Sequence, residues 1–158
     1  MNNWTPKDYE YMQLAIEQAE LAIKHHDQPF GAVIVKDNQI IGSGKSQDTS
    51  GGTVIEHAEV MALIEACQKT HGNNLRGAII YTTNEPCPMC AAAIFQAKID
   101  RVICGLLRTE LPMLIRNRKI RVFDLADDSG YPIEIEHGLM KTEIMALFDQ
   151  FFNKTAKS

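Results

Sequence analysis

Apolar residues recur along this chain first at helical spacing and then at strand spacing, and the alternation continues almost to its end. Tyr11, Leu14, Ala15, Ala19, Ala22 and Ile23 repeat every three or four positions, which predicts a helix reaching about residue 24. Thr5, Pro6 and Asp8 supply its start: an N-cap, a proline where the helix tolerates one, and an acid in the first turn. Residues 31–35 are apolar and β-branched, Asp37-Asn38 is a turn and residues 39–42 return, so a hairpin is predicted. Residues 43–53 are rich in Gly, Ser, Thr and Asp and read as a loop. Val60, Leu63, Ile64 and Cys67 predict a helix from Glu56 to about Lys69. A buried strand at 78–82, a short apolar and therefore buried helix at 89–97, and a strand at 102–105 come next. Residues 120–126 fit helix or strand, 133–136 alternate like a strand, and 141–153 form a closing amphipathic helix. The sum is a sheet flanked by helices around one core, without internal repeats or low-complexity segments.

Length and composition narrow this picture. With 158 residues the chain fills one core and falls short of two, so a single domain over 1–158 is expected. Apolar content of 45% and charged content of 23% suit a soluble globular protein. No apolar run approaches the roughly 20 residues that cross a bilayer, so no membrane partner is expected. The start, Met1 to Pro6, has neither a basic nor an apolar stretch, and four cysteines without a secretory leader favour thiols and metal over disulfides. A cytoplasmic location follows as the expectation. The net charge of −4 argues for a small substrate over a nucleic-acid backbone, without excluding RNA. The local basic run of Arg116, Arg118, Lys119 and Arg121 reads as a solvated face.

Two short motifs carry the chemistry: His57-Ala58-Glu59, and Pro86-Cys87-Pro88-Met89-Cys90. Three ligands, His57, Cys87 and Cys90, with one nearby acid, suit a catalytic zinc site, because a closed structural site takes four protein ligands. Both motifs fall at predicted helix starts. Cys87 and Cys90 are three apart, so their Cβ atoms are neighbours on a first turn, and Pro88 sits where its missing N–H costs nothing. His57 and Glu59 are two apart and would diverge in mid-helix, but at a helix end both side chains can fold toward one point. Cys-x-x-Cys alone also serves redox dithiols and structural zinc knuckles; the pairing of both motifs favours catalytic zinc. Cys67 and Cys104 lie on apolar faces as core thiols. His25, His26, His71 and His137 lack partner spacing and belong to loops or surface.

The paired motifs match the zinc-dependent cytidine/deoxycytidylate deaminase superfamily. Pro29 to Val35, Thr82-Thr83-Asn84-Glu85, Cys90 to Ile94, and the ending from Ile133 through Phe151-Phe152 resemble its guanine deaminase and tRNA adenosine deaminase branch. The resemblance spans most of residues 8–153. It implies a three-layer α/β/α fold with a mixed sheet of about five strands, a Zn2+ cofactor and a homodimer. It also implies hydrolytic deamination, with Glu59 carrying protons between water, a ring nitrogen and the departing ammonia. Phe30, Ala58 and Asn84 take pocket-wall positions by the same analogy. Ser46 stands where purine-acting relatives carry Asn and offers one hydroxyl in place of an amide. The segment from Leu106 to Asp128 follows neither branch.

Three functions stay open on the sequence. The acidic charge and Pro29-Phe30-Gly31 favour a nucleobase or nucleoside substrate, with guanine foremost. The motif context and the Phe-rich carboxyl end support the tRNA wobble adenosine. A catalytically silent, zinc-stapled interaction domain is the third, and the intact Glu59 weighs against it.

Overall fold

A computed structural model of the chain describes residues 2–111, 116, 118–155 and 157. Helix α1 (Pro6–Lys24) starts as the sequence predicts, with a reciprocal cap. The Asp8 N–H donates to Thr5 Oγ1 at 3.3 Å, and Asp8 Oδ2 accepts from the Thr5 N–H at 2.7 Å. Strands β1 (Gly31–Lys36) and β2 (Gln39–Lys45) form an antiparallel hairpin. Its turn residues, Asp37 and Asn38, have φ of 50° and 59°, the left-handed pair that a tight hairpin turn of matching twist demands.

The predicted loop at 43–53 contains more structure than its composition suggests. Strand β2 continues to Lys45, and a short helix α2 (Asp48–Gly51) follows. The glycines that hide this strand from a propensity reading have a packing purpose. A Cβ on Gly42 would lie 2.2 Å from the Ala62 carbonyl oxygen, and one on Gly44 would lie 2.2 Å from that of Ala58. Helix α3 (Ala58–Thr70) therefore rests directly on the backbone of β2.

Strand β3 (Ala78–Asn84), helix α4 (Pro88–Gln96) and strand β4 (Arg101–Leu106) form a parallel β–α–β unit. A 3-10 turn at Arg108–Glu110 follows. The ambiguous stretch near 120–126 is helix α5 (Val122–Ser129), started by the Arg121 N–H on Asp124 Oδ2 at 2.7 Å. Strand β5 (Glu134–His137) and helix α6 (Lys141–Thr155) complete the described elements. The strand order is β2-β1-β3-β4-β5, with β2, β1 and β3 antiparallel and β3, β4 and β5 parallel.

Alternation along the strands splits the core in two. Ala32, Ile34, Ile80 and Val102 face α3, α4 and α5, while Val33, Val35, Tyr81 and Ile103 face α1 and α6. This is the expected three-layer arrangement with a mixed sheet of five strands. Among the described residues, no helix is long and apolar enough to cross a membrane.

Candidate metal centre

Two chain segments arrive at the same point from different elements. His57 is the N-cap of α3, and Cys87, just past the carboxyl end of β3, is the N-cap of α4. Both have extended backbones, with φ/ψ of −77°/153° and −68°/166°. That geometry resolves the spacing problem between His57 and Glu59. His57 lies just outside the helix and Glu59 inside its first turn, so the rule against residues two apart sharing a helix face does not apply.

Cys87 Sγ and Cys90 Sγ each lie 3.5 Å from His57 Nδ1, and the three ligand atoms lie within 4.8 Å of one another. Tetrahedral zinc with typical Zn–N and Zn–S bonds sets an N···S edge of about 3.6 Å, so this group fits the ion through Nδ1 and two sulfurs. Without an ion the three groups share protons. The Cys87 thiol is lowered to about 4, chiefly by the hydrogen bond from Cys90, helped by His57 and opposed by burial. That bond and burial push the Cys90 thiol up. His57 is raised, first by its contact with Cys87. Zinc binding replaces the protons held within this triad.

Glu59 is 3% exposed, and its Oε1 accepts the Thr82 hydroxyl at 3.0 Å. Burial raises its pKa, and the negative charge of Cys87 adds to the effect.

Behind the metal loop lies a second charged group that the sequence reading did not identify. Glu85 is fully buried, two residues before Cys87. Its carboxylate accepts the Arg108 N–H at 3.0 Å and both the Nε (2.6 Å) and the Nη2 of Arg121. Arg121 is therefore not part of a solvated basic face; it anchors the start of α5 to the metal loop through a forked pair. The Arg108 Nη2 donates to the Arg116 carbonyl at 2.8 Å. Arg116, Arg118 and Lys119 are exposed, as expected. A glutamate set between a buried strand and Pro-Cys was the available signal for this pair.

The remaining candidates lie around this centre. Phe30 is half-buried, with its ring centroid 5.6 Å from that of Phe148. Ser46 is buried and its hydroxyl donates to Asp48 Oδ1 at 3.1 Å. Ala58, the first residue of α3, packs in the core. Asn84 is buried; its amide donates to the Glu85 carbonyl at 3.1 Å and its Oδ1 accepts from the Thr83 hydroxyl at 3.3 Å. Among the described hydrogen bonds, none joins these four to the His57, Cys87 and Cys90 group. Cys104 is a buried core thiol as expected, whereas Cys67 is only half-buried. His25, His26, His71 and His137 are exposed.

Fold and ligand set together define a zinc-dependent hydrolase. The family description "cytidine and deoxycytidylate deaminase zinc-binding region" matches residues 5–106, and the chain belongs to this family of deaminases. A tRNA-specific adenosine deaminase of Streptococcus pyogenes serotype M1 is 32% identical over 145 residues, covering 91% of this chain and 82% of its own length. A solved structure from work on wobble-position A-to-I editing by tRNA deaminases has a TM-score of 0.76 at 28% identity, covering 87% of this chain and 98% of its own. The guanine deaminase of Bacillus subtilis is 32% identical with a TM-score of 0.62, covering 83% of this chain and 71% of its own.

Proposed function

We propose that this deaminase converts adenosine to inosine in tRNA. The observation that carries the reading is the likeness to tRNA-specific adenosine deaminases along nearly the whole chain, 91% of it for the Streptococcus pyogenes relative. These relatives support the tRNA reading better than the free base that the acidic charge favoured. Net charge is a poor guide here because it averages over the surface, whereas Arg116, Arg118 and Lys119 are exposed on a segment tied back to Glu85 beside the metal loop. Phosphates are met by such local cations.

His57, Cys87 and Cys90 hold zinc, which supplies Lewis-acid activation of the attacking water. Glu59 is the catalytic residue. Its carboxylate takes the proton that water loses as oxygen bonds to the amine-bearing carbon. It passes that proton to the ring nitrogen, then moves a proton to the departing amine, so water and adenosine leave as ammonia and inosine. Phe30, Ser46, Ala58 and Asn84 are assigned to substrate contact, and Ser46 gives the weaker grip of a single hydroxyl. A homodimer and a cytoplasmic location belong to the same reading.

Free guanine is the second reading, favoured by the 32% identity to the Bacillus subtilis enzyme. Ammonia release from zinc-loaded protein separates the two. An anticodon stem-loop with adenosine at the wobble position is expected to react and to yield inosine. Guanine, adenosine and cytidine offered free are expected to react at least about a hundredfold more slowly by kcat/KM, a loss of nearly 3 kcal/mol of transition-state stabilisation. Faster turnover of guanine than of the stem-loop overturns the tRNA assignment.

A further inference from the structure

Thr82 has no reason to be polar on packing grounds. It is fully buried in β3 on the face that Ile80 shares, with Ala32 as its register partner in β1 and Cys104 as its partner in β4. A valine has the same shape, leaves no hydroxyl to satisfy in an apolar layer and suits a strand equally well. The hydroxyl has one described use: it donates to Glu59 Oε1 at 3.0 Å.

We propose that Thr82 is the positioning residue of Glu59. The inference rests on the reading of Glu59 as proton carrier. A carboxyl side chain has a broad terminal torsion, so its two oxygens exchange places unless something holds one of them. The Thr82 donor selects Oε1 and leaves Oε2 as the oxygen that takes the proton from water and returns it. The bond survives both halves of the cycle: with the proton on Oε2, Oε1 is a carbonyl oxygen and still accepts. The carboxyl therefore meets each proton transfer already oriented, which is where a small misplacement costs rate. Position and neighbours fit the role. Thr82 belongs to the central strand of the sheet, so its backbone is fixed on both sides by ladder pairing.

The test compares Thr82→Val and Thr82→Ser, each zinc-loaded, on whichever substrate the wild type turns over. Thr82→Val is expected to lower kcat about ten- to thirtyfold, part of the ~10²–10⁴ that a positioned acid–base group contributes, with KM and zinc content unchanged. Thr82→Ser keeps the hydroxyl and is expected to recover most of kcat. A second readout needs no turnover. In unfolding of the zinc-loaded protein, Thr82→Val should lower the midpoint when Glu59 is present and raise it in a Glu59→Ala background, where the buried hydroxyl has lost its acceptor. Wild-type kcat in Thr82→Val, or equal midpoint shifts in both backgrounds, overturns the proposal. If Glu59→Gln itself keeps turnover, the reading of Glu59 fails instead, so the two failures are distinguishable.

Discussion

Tyr81 and Thr82 are neighbours in β3, point to opposite faces of the sheet, and each gives its hydroxyl to a buried carboxyl. Tyr81 donates to Asp8 Oδ1 at 2.7 Å, and Thr82 donates to Glu59 Oε1 at 3.0 Å. The company around the two acids differs. Asp8 also accepts the Thr5 N–H and the Thr5 hydroxyl at 2.7 and 2.8 Å, and Arg101 Nη1 lies 3.6 Å away. Arg101 in turn is held by Glu136, which accepts the Trp4 indole N–H. Burial works against the charge on Asp8, but these donors outweigh it and its pKa is lowered. Glu59 has burial and a nearby thiolate, and its pKa is raised. One face of the strand thus holds a carboxylate on which donors outweigh burial, and the other a carboxyl on which burial outweighs them. Burial alone does not set the direction of the shift; its balance with the surrounding donors and charges does.

The largest test of this contrast is Glu59→Gln. Turnover is expected to fall by at least about a thousandfold, while stability is unchanged or slightly higher because a buried ionisable group has been replaced by a neutral one. Zinc should remain bound, as measured by metal content. Asp8→Ala is expected to do the reverse. It leaves the Tyr81 hydroxyl and one face of Arg101 without their acceptor and removes the Asp8 half of the α1 capping box, costing about 2–3 kcal/mol in denaturant unfolding. Turnover per folded molecule should be unchanged. If Asp8→Ala loses turnover out of proportion to the folded fraction, the two faces of β3 are not separable and the comparison fails.

Much of this contrast was legible in the sequence on one face only. The metal ligands and Glu59 announce themselves because their spacing is tied to helix starts, and helix starts have local signals: Pro88 after Cys87, and a polar loop before His57. Asp8 was visible as a first-turn acid of α1 but not as the centre of a network. Its partners Tyr81, Arg101 and Glu136 lie on three strands, and only the sheet order brings them together. The same holds for Glu85 and Arg121, 36 positions apart, where a basic run suggested solvent and the fold placed one of its members on a buried acid. Residues 43–45 were missed as strand for another reason. Glycine has low strand propensity, and its value at 42 and 44 lies in the close approach of α3, a tertiary fact. Charge behaves in the same way: the net value is readable in a composition, whereas the contacts that set Arg121 on Glu85 and Arg108 on the Arg116 carbonyl are not.

The smallest effect is also the most specific to Asp8, because it depends on sign. Its folded pKa lies below the ordinary value of 3.8. As pH falls, the unfolded chain therefore takes up this proton before the folded one does. The stability contributed by the ionised carboxylate is fully present above the unfolded pKa and is lost as pH drops through the folded value. Asp8→Asn keeps one oxygen, which can serve either Tyr81 or Thr5, and has no charge to lose. Near pH 7 it should be less stable than the wild type by about 2 kcal/mol, the order of one hydrogen bond to a charged acceptor. Unfolding measured from pH 7 down to pH 2.5 should then show the two curves converging below about pH 4, near the ordinary carboxylate pKa. Other acids, Asp27 and Glu110 among them, are lowered as well and shape the acid limb of both proteins alike. The difference between the curves isolates Asp8. Parallel curves across that range would mean its charge is not what the Thr5, Tyr81 and Arg101 donors stabilise, and the contrast with Glu59 would fail, since the two acids are equally buried.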